Sequence, residues 1–174
     1  MNVLRGRVHK FGSDIDTDLI IGSKYLQLAD PCELGRHCLE AVAPEFSGNA
    51  RGGILMALEN FGIGSSREQA VMAIAACGVS CVIASSFARL FFRNAINTGL
   101  VVIECREIVD VTSSGEIVEV DVSRGVVTNV TRAQACRVNP YPAFIRQIVE
   151  AGGLIPFARP RLLEGRTRVF DGLS

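Results

Sequence analysis

The residues best equipped for chemistry form one run, Asn60-Phe-Gly-Ile-Gly-Ser-Ser-Arg-Glu68. It places glycines, then two hydroxyls, then an arginine, where an apolar stretch gives way to a helical pattern. Free backbone N–H groups and the helix dipole favour an anion at such a junction. Arg67 adds a two-pronged fork for a carboxylate, and Gly62 and Gly64 permit close backbone approach. A serine beside such donors, Ser65 or Ser66, ionises more readily because its alkoxide is stabilised. The same residues also describe an ordinary capped helix, with Ser65 or Ser66 as N-cap and Glu68 in the first turn. The run is no Walker loop, since no Gly-Lys-Ser/Thr follows, and Arg67 stands where a dinucleotide fingerprint needs its third glycine. A second run, Asp14-Ile-Asp-Thr-Asp18, sets three acids at alternate positions. Such acids hold a hard cation or orient a catalytic histidine, and they equally make a solvated turn. The EF-hand spacing fails, because neither the sixth-position glycine nor the twelfth-position glutamate follows.

Positioning these runs requires a frame of short apolar strands. Val3 to Phe11 alternates as a first strand, and Asp30-Pro31 opens a helix that the pattern carries to about Val42. Gly53–Leu58 reads as a buried strand, and a helix follows the serines to near Gly78. Val79–Ala84 reads as a second buried strand. Ser86 to Asn97 reads as a helix closed by Gly99, and Leu100–Cys105 as a third strand. Residues 53–105 therefore predict strand–helix–strand–helix–strand, the pattern of right-handed parallel crossovers. Beyond Cys105 the texture becomes β-rich. Ile108–Thr112, Ile117–Val122 and Val126–Val130 predict an antiparallel meander, and Tyr141–Ala151 a closing helix capped by Gly152-Gly153. The whole chain, 1–174, reads as one domain, with an Arg- and Pro-rich tail at 159–174 that docks on a partner or stays loose.

Composition narrows the function classes. The 174 residues carry 18 basic and 18 acidic side chains, so the net charge is zero. That gives no electrostatic reason to expect a nucleic acid or an anionic membrane as partner. All but two of the basic residues, Lys10 and Lys24, are arginines; Arg forks suit carboxylates, and a base-composition bias yields the same excess. The N-terminus lacks the apolar core of a signal peptide, and the apolar stretch Ala70–Ala84 is broken by Gly78 and falls short of a membrane span. A cytoplasmic protein is expected. Six cysteines and two histidines show neither CxxC nor zinc-type spacing, so no metal or cluster is expected on this chain.

Asp14–Asp18, Phe61–Glu68 and Ser86-Phe-Ala-Arg-Leu-Phe-Phe-Arg-Asn-Ala-Ile-Asn97-Thr-Gly resemble, in order and spacing, three motifs of the aconitase-family swivel domain. They are most similar to its free-standing form, the small subunit of 3-isopropylmalate dehydratase and homoaconitase, over about residues 4–155. The resemblance implies an α/β fold, the three-layer swivelling β/β/α domain of the aconitase C-terminal type. It implies a hydro-lyase active only with a large iron–sulfur subunit, in a heterodimer or heterotetramer. The four-iron four-sulfur cluster would sit on that partner, and the substrate would be a small hydroxy-dicarboxylate. By position Ser65 matches the serine that removes the proton α to a carboxylate. Arg67 matches the arginine that grips a substrate carboxylate, with Ser66 and Gly64 beside it. Asp18 matches the aspartate that pairs with a catalytic histidine of the other subunit.

By the same resemblance, Gln27 and Leu28 match the family loop that lies over the variable substituent of the substrate. With no cation in Tyr25–Leu28, an extra carboxylate there is poorly compensated and an alkyl group is favoured. The implied reaction is therefore isomerisation of 2- and 3-isopropylmalate, a step of leucine biosynthesis. Homoaconitate, citraconate and dimethylmalate are the alternative acids, and a non-catalytic carboxylate-binding module is the alternative class. The sequence departs from the family pattern at Gln69, Ile63 and Ser85, where relatives carry His, Cys and Lys. Gln69 holds no proton near neutral pH but keeps its hydrogen-bonding capacity.

Overall fold

The computed structural model describes residues 3–160 and residue 162. The strands are β1 (Leu4–Lys10), β2 (Ile54–Ala57), β3 (Cys81–Ala84), β4 (Val102–Glu104), β5 (Ile117–Asp121), β6 (Val126–Asn129) and β7 (Gln134–Arg137). The helices are α1 (Thr17–Ile20), α2 (Pro31–Arg36), α3 (Phe46–Asn49), α4 (Glu68–Ala76), α5 (Arg89–Thr98), α6 (Arg106–Val111) and α7 (Ala143–Glu150).

The strands join in one sheet of order β4-β3-β2-β1-β5-β6-β7, and β1 is its seam. On one side β1, β2, β3 and β4 run parallel; on the other, β1, β5, β6 and β7 run antiparallel. Every residue of β2 and β3 is buried, as befits parallel strands covered on both faces. β5 and β6 alternate buried and half-buried side chains, which is the signature of strands with one face on the core. The parallel strands advance in one direction across the sheet, so right-handed crossovers bring α4 and α5 to the same face, where they touch each other. α2 packs on α4 in turn. Helix α6 touches β3 of the parallel half and β6 and β7 of the antiparallel half, so the two halves curl around it. Helices, parallel layer and antiparallel layer are the three layers of the swivelling β/β/α domain expected from the sequence.

The short helices α1 and α3 were not expected, and three further elements differ from expectation. The helix predicted from Asp30 to Val42 ends at Arg36. Turns follow it, because Leu39 takes a positive φ of 56° and its N–H is drawn to the Ile20 carbonyl. Ile108–Thr112, predicted as strand, lies in α6 and its C-cap. β7 was not foreseen; it is a mostly exposed edge strand with no apolar alternation. The tail of residues 159–174 lies outside the described residues except for 159, 160 and 162. Among the described residues no helix is long and apolar enough to cross a membrane.

Candidate active site

Three loops leave the C-terminal ends of β1, β2 and β3 and converge, at the edge where parallel α/β sheets generally bind ligands. Main-chain contacts tie them together. Asp16 and Ile63 form an isolated parallel bridge, and so do Phe61 and Phe87. The Gly62 N–H donates to the Ile15 carbonyl at 2.7 Å, and the Thr17 N–H to the Ile63 carbonyl at 2.9 Å. Gly62 has to be glycine: its φ is +79°, and a Cβ there would lie 2.2 Å from Cγ of Phe91. Phe61, Phe87 and Phe91 pack ring against ring beneath the loop and form its apolar floor.

The loop residues between β2 and α4 take up positions that the capped-helix reading does not predict. Arg67, not Ser65 or Ser66, is the N-cap residue of α4, and no side chain caps it. The Ser65 carbonyl accepts the Arg67 N–H at 2.8 Å in a three-residue turn and the Thr17 hydroxyl at 3.1 Å. The backbone of the serine pair is thereby immobilised while its hydroxyls stay outside the helix. Ser65 and Ser66 are both exposed. The Ser66 hydroxyl accepts Nδ2 of Asn94 at 3.4 Å. Gly64, with φ +94°, turns the chain above Thr17.

Arg67 and Asp18 form an ion pair through Nη1 and Oδ1. The guanidinium is largely covered, with 18% of its side chain exposed, whereas 56% of Asp18 is exposed. Helix α1 presents Asp18: the Asp16 carboxylate caps it by accepting the Asp18 and Leu19 N–H groups at 2.5 and 3.2 Å. The alternate acids thus divide their roles, Asp16 holding the backbone and Asp18 holding Arg67. Asp14 accepts Nδ2 of Asn60 at 2.8 Å, which ties the first loop to the second.

Ser65, Ser66, Gly64, Arg67 and Asp18 are thus gathered at one place. Gln27 and Leu28 lie on the next segment: Gln27 is exposed, and Leu28 packs partly against the hydrophobic core. No hydrogen bond ties either to the serine loop among the described residues. Their segment is fixed elsewhere. Tyr25 stacks on His37 at 3.7 Å between ring centroids and donates its hydroxyl to Glu40 at 2.5 Å. That bond, with Lys24 and His37 nearby, lowers the Glu40 carboxyl below its ordinary range. Sequence reasoning assigned nothing to Thr17 and Asn94. An uncharged threonine between two acids was the only trace of Thr17, and Asn94 carried no signal beyond its place in a helix. Gln69 is half-buried in the first turn of α4.

A serine and an arginine held by main-chain ties at parallel strand ends, over a curled parallel–antiparallel sheet, define an aconitase C-terminal-type domain. The aconitase C-terminal domain family matches residues 39–108. The chain is 50% identical over 161 residues to the 3-isopropylmalate dehydratase small subunit of Caldicellulosiruptor saccharolyticus, covering 92% of this chain and 93% of that one. It is 47% identical over 154 residues to the 2,3-dimethylmalate dehydratase small subunit of Eubacterium barkeri, covering 88% and 94%. The crystal structure of 3-isopropylmalate dehydratase from Methanocaldococcus jannaschii superposes with a TM-score of 0.89 at 41% identity, over 96% of this chain and 99% of that chain. The chain belongs to the aconitase family, in the branch of free-standing dehydratase small subunits.

Proposed function

We propose that this chain is the small subunit of a 3-isopropylmalate dehydratase, working with a large iron–sulfur subunit to isomerise 2- and 3-isopropylmalate by loss and return of water. The observation that carries the proposal is the exposed Ser65 fixed two residues from the covered, Asp18-paired Arg67. The Arg67 fork binds a substrate carboxylate, and because Asp18 engages Nη1, the remaining N–H groups stay free to donate. Ser65 Oγ removes the proton α to that carboxylate and returns it in the reverse direction. It does so as the alkoxide, whose negative charge is stabilised by Arg67 and by the dipole of α4 until the proton neutralises it. Ser66 stands beside it as a hydrogen-bonding hydroxyl aligned by Asn94. Asp18 keeps an exposed face for a histidine of the large subunit.

No cysteine of this chain lies in the serine loop, and four of the six are buried. The donor set therefore fits a cluster carried by the partner and presented to Ser65. When bound there, a four-iron four-sulfur cluster supplies the Lewis acidity that helps the substrate hydroxyl depart.

A second substrate reading rests on the Eubacterium barkeri relative, whose name specifies 2,3-dimethylmalate. Both acids bear alkyl groups, which agrees with the uncharged Gln27-Leu28 segment, whereas homoaconitate brings a third carboxylate. The test is reconstitution with a 3-isopropylmalate dehydratase large subunit and comparison of kcat/KM on isopropylmalate, dimethylmalate and homoaconitate. Isopropylmalate is expected to lead, and a lead for homoaconitate overturns the reading. In the same complex Ser65→Ala should lower kcat by ~10²–10⁴ with KM nearly kept. Arg67→Lys should raise KM as well, since a point charge does not replace a fork. Near-normal turnover by Ser65→Ala would remove it as the base.

A further inference from the structure

Away from the serine loop, the fold brings Cys105 and Glu107, near neighbours in sequence, together with the distant Cys136. Cys105 ends the β4 segment, with its N–H on the Ala84 carbonyl at 3.0 Å. Glu107 stands in the first turn of α6. Cys136 comes from β7, opposite Val127 of β6, and α6 packs on β7. The two Sγ atoms and a Glu107 carboxylate oxygen all lie within 4.8 Å of one another. Cys105 Sγ is 3.9 Å from Glu107 Oε2.

We propose that Cys105, Cys136 and Glu107 bind one thiophilic divalent cation, zinc first among them, with water as the fourth ligand. Tetrahedral zinc with bonds of about 2.3 Å to sulfur and 2.0–2.2 Å to oxygen sets ligand–ligand separations of roughly 3.5–3.8 Å. The three atoms therefore need to close by roughly 1.3 Å at most. Burial is graded to allow it: Cys105 is buried, Cys136 half-buried and Glu107 exposed. One wall is dry, and the other side is open to an entering ion and to water. Two sulfurs favour a soft ion over calcium or magnesium, which prefer all-oxygen sites. The neighbouring Arg106 does not compete for Glu107, since it is paired with Glu59. Without metal, burial pushes the Cys105 thiol up to about 12, so Cys105 rests protonated. Binding displaces the thiol protons to solvent. The ion would clamp α6 to the edge strand β7, joining a helix that touches both halves of the sheet to the outermost strand.

The test is titration of the full chain, metal-free and under reductant, with cobalt(II) as a spectroscopic probe. The expected result is a thiolate-to-cobalt charge-transfer band saturating near about one ion per chain and abolished by added zinc. Cys136→Ser should weaken binding roughly 100-fold or more, with its fold checked by circular dichroism. Glu107→Gln, at an exposed position, should keep the band and weaken binding ~10-fold. Absence of the band in the unmutated chain overturns the assignment. So does a band that persists in Cys136→Ser, which would place the metal on other thiols. Unchanged affinity in Glu107→Gln overturns the three-ligand site.

Discussion

In the role proposed for Arg67 two requirements meet: the cation has to be held in place before substrate arrives, yet keep donors free for it. The structure satisfies both by pairing one nitrogen with Asp18 and leaving the Asp18 side well exposed. Asp18→Asn keeps the size and removes the charge. In the reconstituted complex it should raise KM for the carboxylate substrate roughly fivefold, the range of an exposed ion pair, with little change in Tm. If kcat falls and KM holds, the principal role of Asp18 is toward the partner's histidine rather than toward Arg67. Steady-state kinetics separate the two. At this scale the convergence was legible in part: a serine and an arginine after glycines at a strand end suggest an anion site, and an ordinary capped helix as readily, whereas the structure leaves both serine hydroxyls outside the helix cap. The Arg67–Asp18 contact was not legible. It depends on α1 folding back beside the serine loop, and a helix of one turn, capped only by Asp16, leaves no periodicity to read.

Among the elements, the parallel half was readable because Ile54–Ala57 and Cys81–Ala84 are continuous apolar runs between glycine-rich turns. Helix α6 was not. Ile108, Val109 and Val111 favour strand by local propensity, but burial of Ile108 and Val109 between the two halves outweighs a preference of a few tenths of a kcal/mol each. Its C-terminus also lacks any basic residue in the last turn. The cation comes from β1 instead: Lys10 Nζ donates to the Val109 and Thr112 carbonyls at 2.6 and 2.7 Å. No local reading pairs residue 10 with residue 112. Lys10→Met retains the apolar stem and strips both bonds from part-buried carbonyls. It should cost about 2–3 kcal/mol in urea unfolding, whereas a loss below about 0.5 kcal/mol would show that α6 holds its end without the lysine.

For the molecule as a whole, the antiparallel half is locked by a network around Glu116. Asn129, fully buried, donates Nδ2 to Thr112 Oγ1 at 2.9 Å and to Glu116 Oε2 at 2.7 Å. The Ser113 N–H donates to the same carboxylate at 3.0 Å, and Arg132 Nε to its other oxygen at 2.7 Å. These donors, Asn129 foremost, hold the Glu116 carboxyl down at about 2 against an ordinary 4.5. A folded-state value below the unfolded one means stability that is complete above about pH 5 and lost as pH falls toward 2. Tm measured from pH 6 to pH 2.5 should therefore drop less steeply in Glu116→Gln than in the unmutated chain. Parallel slopes would assign the acid sensitivity to other carboxylates.

The loops at the ends of β1, β2 and β3 are joined through main-chain groups, and this bears on how such a domain changes over time. Ile63 contributes its carbonyl to Thr17 and its backbone to the bridge with Asp16. Ser85 contributes its N–H to the carbonyls of Ala57 and Leu58. Neither tie depends on which side chain the position carries, provided the backbone conformation is kept. Two of the three positions where the sequence departs from the motif pattern it resembles are therefore places where mutation leaves the backbone frame of the loops intact. A lineage can exchange residues there and explore new substrate surfaces while Ser65 and Arg67 keep their spacing. The main-chain stitching acts as a reserve of neutral variation built around the pair proposed to do the chemistry.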